Sequence, residues 1–145
     1  GARPGLFLET LRDEVARLGL QELALFFPET GEVFDFYRLA DVFVCTSFEE
    51  SFPRVILESA VFRRHIVTTD VNGISEMIAP ADAWLIPPGD RYRLADALKQ
   101  AITARIQGDN GRPESARASV LRNYHEAHSL PQHLLLARGV AELGC

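Results

Sequence analysis

Two glutamates stand out in this chain of 145 residues. Glu50 and Glu58 lie in TSFEESFPRVILES (46–59), on either side of a Phe-Pro pair. The stretch follows an apolar run, VFVC, and leads into a helical pattern. Pro53 suits the first helical position, because its missing N–H has no partner there in any case. A helix starting there aims its free N–H groups and positive dipole end at whatever lies before it. The amides of Arg54, Val55 and Ile56 can then hold a phosphate, to which Pro53 donates nothing. A carboxylate at Glu50 would be repelled by that phosphate and makes better sense accepting from neutral hydroxyls. Glu58, further into the helix, could accept from vicinal hydroxyls as acidic residues do with ribose. The outline is a phosphate held between two sets of sugar hydroxyls. The same residues allow a plainer reading. Glu49 and Glu50 can be a solvated loop pair, and Glu58 can pair with Arg54 across one helical turn.

The elements around this stretch must position it. LFLETLRDEVARLGL (6–20) has apolar residues at helical spacing, with Gly19 as terminator. LALFF (23–27), closed by Pro28, reads as a buried strand, and VFDFYRLA (33–40) as a short helix. VFVC (42–45), IVTT (66–69) and AWLIP (83–87) read as three more buried strands. PRVILESAVF (53–62) reads as a helix, DVNG (70–73) as a turn and ISEMIA as a brief helix. Asp90 caps an amphipathic helix over 91–106. After the loop 107–113, helices are predicted over 113–128 and 131–143. Short apolar strands alternating with helices imply a parallel sheet with helices on both faces, an α/β Rossmann-like fold. In such sheets ligands bind beyond the carboxyl ends of the strands, which is where TSFEESFP falls.

Composition narrows the function classes. Apolar residues make up 47% and charged residues 24%, enough to bury a real core. The net charge of −5 gives no electrostatic support for nucleic acid as a partner. Cys45 and Cys145 lack metal-ligand spacing, and Cys45 reads as a small buried hydrophobe. No run of about 18 apolar residues suggests a transmembrane helix. The first residues lack the regions of a signal peptide, so a cytoplasmic protein is expected.

Several motifs in order make the reading more specific. ADVFVCTS (40–47) is followed by Glu50, seven residues, then Glu58. TTDVNGISEMI (68–78), AWLIPPGD (83–90) and the RLADALKQAI helix come next. Together, and with the LGLQELALFF lead-in, they resemble the C-terminal, donor-binding domain of retaining GT-B glycosyltransferases of family four. The resemblance is good over 20–106 and weak at the ends. It implies transfer of a hexose-type sugar from a nucleotide-diphosphate donor to an acceptor hydroxyl, with no metal or other cofactor. It makes Glu50 the catalytic residue at the donor sugar and gives Glu58 the ribose hydroxyls. Ser51, Phe52, Arg54, Val55 and Ile56 would line the sugar and phosphates, and Pro28, Glu29 and Thr30 would lie near the base. The implied partners are the donor and an acceptor domain or upstream segment of the same protein. The implied location is the cytoplasm, peripheral to the inner face of a membrane through other parts of the enzyme.

The chain also departs from the family's pattern. The family domain has strand order 3-2-1-4-5-6, and its first two strands and a basic Arg-Lys pair have no counterpart here. A partial domain is therefore expected, with residues 107–145 as its C-terminal helical extension, and with strands supplied from another segment or chain or with LALFF pairing beside VFVC. Arg63 stands where the family turns on Gly, which costs roughly 1 kcal/mol. His65 is expected in a surface turn, Trp84 near the donor crevice but in the core, and Lys99 in solvent. His125, His128 and His133 read as surface or packing residues. The alternatives are a non-catalytic GT-B-like binding or assembly domain, a sugar-nucleotide epimerase, and a flavodoxin-like receiver or cofactor domain. That last fold calls for an acidic cluster or phosphate loop after its first strand, and the sequence has neither.

Overall fold

The computed structural model describes residues 4–124. The helix expected at 131–143, the end of the preceding one, and His125, His128 and His133 lie outside the described residues. The chain divides into two compact units after Glu32.

The first unit holds α1 (Pro4–Arg17) and an irregular stretch after it. Gly19 terminates α1 in a left-handed conformation, φ 68°. The bonds from Leu23 N and Ala24 N to the Leu20 carbonyl fold LALFF into a turn at its start. LALFF is not the buried strand its apolar run suggests. Leu23, Leu25 and Phe27 are largely exposed, and Arg12 covers the Phe26 ring at 5.6 Å. A strand needs a neighbour for its N–H and C=O groups, and among the described residues none pairs with this segment.

The second unit opens with α2 (Val33–Leu39) and β1 (Val42–Cys45). It continues through α3 (Arg54–Val61), β2 (His65–Thr69), α4 (Ile74–Met77) and β3 (Trp84–Ile86). It ends, among the described residues, with α5 (Arg91–Ile106) and α6 (Gly111–Tyr124). The strands form a parallel sheet in the order β1-β2-β3, with Val42 opposite His65 and Thr69 opposite Ile86. Strand alternation splits the core. Phe43, Ile66 and Leu85 pack with Ile56, Leu57 and Ala60 of α3 and Ala116 and Val120 of α6. Val42, Val67 and Ile86 pack with Ala97 and Ala101 of α5. Small residues on α5 and α6 let those helices approach the sheet and α3 closely. Covered on both faces, β2 is buried along its whole length, as parallel sheets require.

Local signals set the element ends. Asp90 Oδ1 accepts from Tyr92 N and Arg93 N, the expected cap of α5. α3 closes with Arg64 N donating to the Ser59 carbonyl and Arg63 N to the Ala60 carbonyl. Arg63 sits at φ 54°, the left-handed position that glycine favours, so its strain is real. The Asn72-Gly73 turn is left-handed at both residues.

Two expectations about single residues are corrected. His65 is not in a surface turn. It opens β2, is 2% exposed and packs on Trp84 at 5.8 Å between ring centres. β2 begins one residue earlier than the β-branched run, and that step carries the ring into the core. Trp84 opens β3, so it lies at the amino ends of the strands and not near the crevice beyond their carboxyl ends. Its ring is flanked by His65 and by the Arg112 guanidinium at 4.7 Å. Lys99 is solvated, as expected.

Candidate functional site

The carboxyl ends of the three strands lie side by side, with Cys45 opposite Thr68 and Thr69 opposite Ile86. The chain leaves β1 there through residues 46–53 and turns into α3. Pro53 stands one place earlier than expected, at the cap of α3, and offers no side-chain bond. Ile56 N already donates to the Pro53 carbonyl at 3.1 Å, so of the three amides proposed for a phosphate this one is engaged. Arg54 and Val55 are exposed at the helix start.

The two glutamates occupy different surroundings. Glu50 is half-buried, and its Oε1 accepts from Ser47 Oγ at 2.6 Å. The Ser47 carbonyl in turn accepts from Thr69 Oγ1 at 2.6 Å. Glu58 is 7% exposed, and its Oε2 accepts from the buried Tyr37 hydroxyl at 3.1 Å. Burial, reinforced by the negative Glu58, pushes the Tyr37 phenol far above its usual range, so it keeps its proton to donate. Tyr37 is itself fixed by stacking on Phe62 at 5.6 Å and by Phe43 at 5.7 Å.

Around these groups, Ser51 is exposed, and Phe52 makes an edge contact with Tyr124 of α6 at 6.1 Å. On the α5 side a cavity of about 200 Å³ is lined by Thr46, Phe48, Thr69, Gly89 and Leu94, among others. Gly89 beside the Phe48 ring sits at φ 77°, the left-handed conformation that glycine adopts without strain. The third predicted group belongs to the first unit. Pro28, Glu29 and Thr30 lie in its irregular stretch, where Thr30 Oγ1 accepts from Glu32 N at 3.1 Å. Among the described residues no group of three or more His, Cys, Asp or Glu is placed to hold a metal ion. No helix among them is long and apolar enough to cross a membrane.

Sequence reasoning missed Tyr37, Ser47 and Thr69. Ser47 lies within reach of Glu50 along the chain, so a serine leading into an acidic loop was a usable signal. The other two partners arrive from 21 and 22 positions away, and no local pattern reports them.

A strand-end loop carrying Glu50, leading into a helix that carries Glu58, invites comparison with known proteins. The sequence profile of the family described as "Glycosyl transferases group 1" matches residues 1–104. The chain belongs to this family. The lipopolysaccharide core biosynthesis mannosyltransferase LpsB of Rhizobium meliloti is 32% identical over 115 residues, 78% of this chain and 31% of that protein. Among solved structures, a glycosyltransferase from Rickettsia africae superposes with a TM-score of 0.79 at 22% identity, over 85% of this chain and 33% of that one. Anabaena Alr3699/HepE, solved with UDP-glucose, gives 0.77 at 22% identity, over 83% of this chain and 34% of that one. These structural likenesses establish the fold, a Rossmann-like α/β sheet of GT-B glycosyltransferases. The chain spans between 18% and 31% of the length of the curated relatives it matches.

Proposed function

We propose that this chain is the nucleotide-sugar donor-binding half of a retaining glycosyltransferase that transfers a hexose-type sugar to an acceptor hydroxyl. One observation carries the reading. Glu50, in the loop beyond the carboxyl end of β1, and Glu58, inside α3, hold the two places of the family motif. In this reading Glu50 is the catalytic residue and accepts from hydroxyls of the donor sugar, fixing the anomeric carbon against the acceptor. Glu58 has one oxygen on Tyr37 and offers the other to the ribose hydroxyls. The first turn of α3 faces the diphosphate with amides of Arg54 and Val55, and Ser51 and Phe52 border the sugar. The binding of UDP-glucose by the Anabaena relative supports a nucleotide-diphosphate sugar as donor. The reading calls on no metal or other cofactor. Basic groups for the diphosphate and an acceptor domain come from other parts of the enzyme. It works in the cytoplasm, peripheral to the inner face of a membrane.

The reading is tested by titrating the full-length protein with UDP, GDP and ADP and with their sugars. Glu58→Gln is expected to weaken the nucleotide and its sugar alike, by about tenfold, because both carry the ribose. Glu50→Gln should weaken only the nucleotide sugar. Nucleotide affinity that ignores Glu58→Gln would contradict the ribose role.

A further inference from the structure

The end of β2 and the loop after β1 are joined by a chain of hydroxyl groups that the donor-site reading does not use. Thr69, the last residue of β2, is 2% exposed, so its hydroxyl serves the interior. It donates to the Ser47 carbonyl at 2.6 Å. Ser47 Oγ donates to Glu50 Oε1, also at 2.6 Å. With that proton committed, the Cys45 thiol is the donor in its 3.6 Å contact with Ser47 Oγ. Ser47 is thus held at its carbonyl and at its hydroxyl, and Glu50 is held through it. The anchor is β2, the middle strand of the sheet.

We propose that Thr69 and Ser47 are positioning residues that set the Glu50 carboxylate for the sugar moiety of the donor. The inference rests on the donor-site reading above. Ser47 takes one carboxylate oxygen and leaves the other for a ligand hydroxyl. A carboxylate fixed before the ligand arrives spares binding the cost of freezing a flexible side chain. The bare nucleotide lacks the sugar, so it should not sense this chain of bonds. That selectivity separates positioning from a general structural role.

The test uses calorimetric titration of the full-length protein with UDP-glucose and UDP, or with GDP-mannose and GDP if that pair is the one bound. Glu50→Gln sets the scale. Ser47→Ala is expected to weaken the nucleotide sugar about tenfold and to leave the bare nucleotide within about twofold. Ser47→Thr, which keeps the hydroxyl, should recover the wild-type affinity to within about threefold. Thr69→Val should follow Ser47→Ala, and Thr69→Ser should follow the wild type. This second pair decides alone if Ser47→Ala does not fold. Wild-type sugar affinity in Ser47→Ala, where Glu50→Gln has lost it, overturns the proposal. Equal loss of both ligands without rescue by Ser47→Thr also overturns it, as the mark of a structural role only. A wild-type protein that binds neither pair, or a Glu50→Gln variant that binds normally, removes the donor-site reading and the proposal with it.

Discussion

Glu50 lies in the loop between β1 and α3, half-buried and held by a serine hydroxyl. Glu58 lies inside α3, almost shut from solvent and held by a tyrosine phenol. A half-exposed carboxylate keeps part of its water, so its protein partner directs it more than it stabilises it. A buried carboxylate has given up its water, and the partner must replace what was lost. Damage around Glu58 should therefore appear first in stability. Damage around Glu50 should appear first in ligand selectivity.

The largest effect is expected at Tyr37, which serves Glu58 and the aromatic cluster together. Tyr37→Ala should cost about 3–5 kcal/mol in denaturant unfolding, the range for truncating a large buried ring. Tyr37→Phe keeps the packing and removes only the donor, and should cost about 1–2 kcal/mol. The phenol's pKa is raised on folding, so its contribution is complete below its unfolded pKa and declines as pH rises above it. Tyr37→Phe should flatten that alkaline decline. A Tyr37→Phe protein as stable as the wild type would break the contrast between the two glutamates.

An intermediate effect is expected at His65, which sharpens the contrast as a buried polar group of the opposite kind. Both of its ring nitrogens are buried without a hydrogen-bond partner. Burial lowers its pKa below the ordinary histidine value. Asp109 and Asp41 oppose the shift, while Arg105 and Arg64 add to it. The unfolded chain then takes up the proton first, so stability falls as pH drops below about 6.5 and continues to fall down to the folded pKa. Thermal melts between pH 7 and pH 5 should show this slope in the wild type and lose it in His65→Leu. An unchanged slope in the variant would assign the acid limb to other groups.

The smallest effect on folding is expected at Ser47. Ser47→Ala should cost under about 1 kcal/mol, because water can reach the half-exposed Glu50 in its place. A loss as large as that of Tyr37→Phe would erase the distinction, and urea unfolding of the two variants side by side would show it.

Much of the second unit was legible in the sequence. VFVC, IVTT and AWLIP are short apolar runs closed by polar turns or proline, and all three join the sheet. The cap at Asp90 and the left-handed turn at Asn72-Gly73 depend on neighbours a few positions away, so local chemistry reveals them. LALFF has the same apolar character as VFVC and joins no strand among the described residues, because a strand is completed by its neighbours and not by its own residues. His65 was misplaced because it stands just ahead of the β-branched run IVTT, in the short stretch that follows α3. The pairing of Val42 with His65 instead extends the strand by one residue.

By itself the sequence determined the order of strands and helices in the second unit, the cap at Asp90, and the placement of Glu50 and Glu58 about the start of α3. These follow from spacing and short-range bonding, which a linear chain displays directly. Only the tertiary structure decided which glutamate is buried, and that Tyr37, Ser47 and Thr69 hold the pair. It also decided that His65 is enclosed while Leu23 and Leu25 are largely exposed. Those outcomes depend on groups brought together from distant positions, and burial is settled by what packs on a residue rather than by the residue itself.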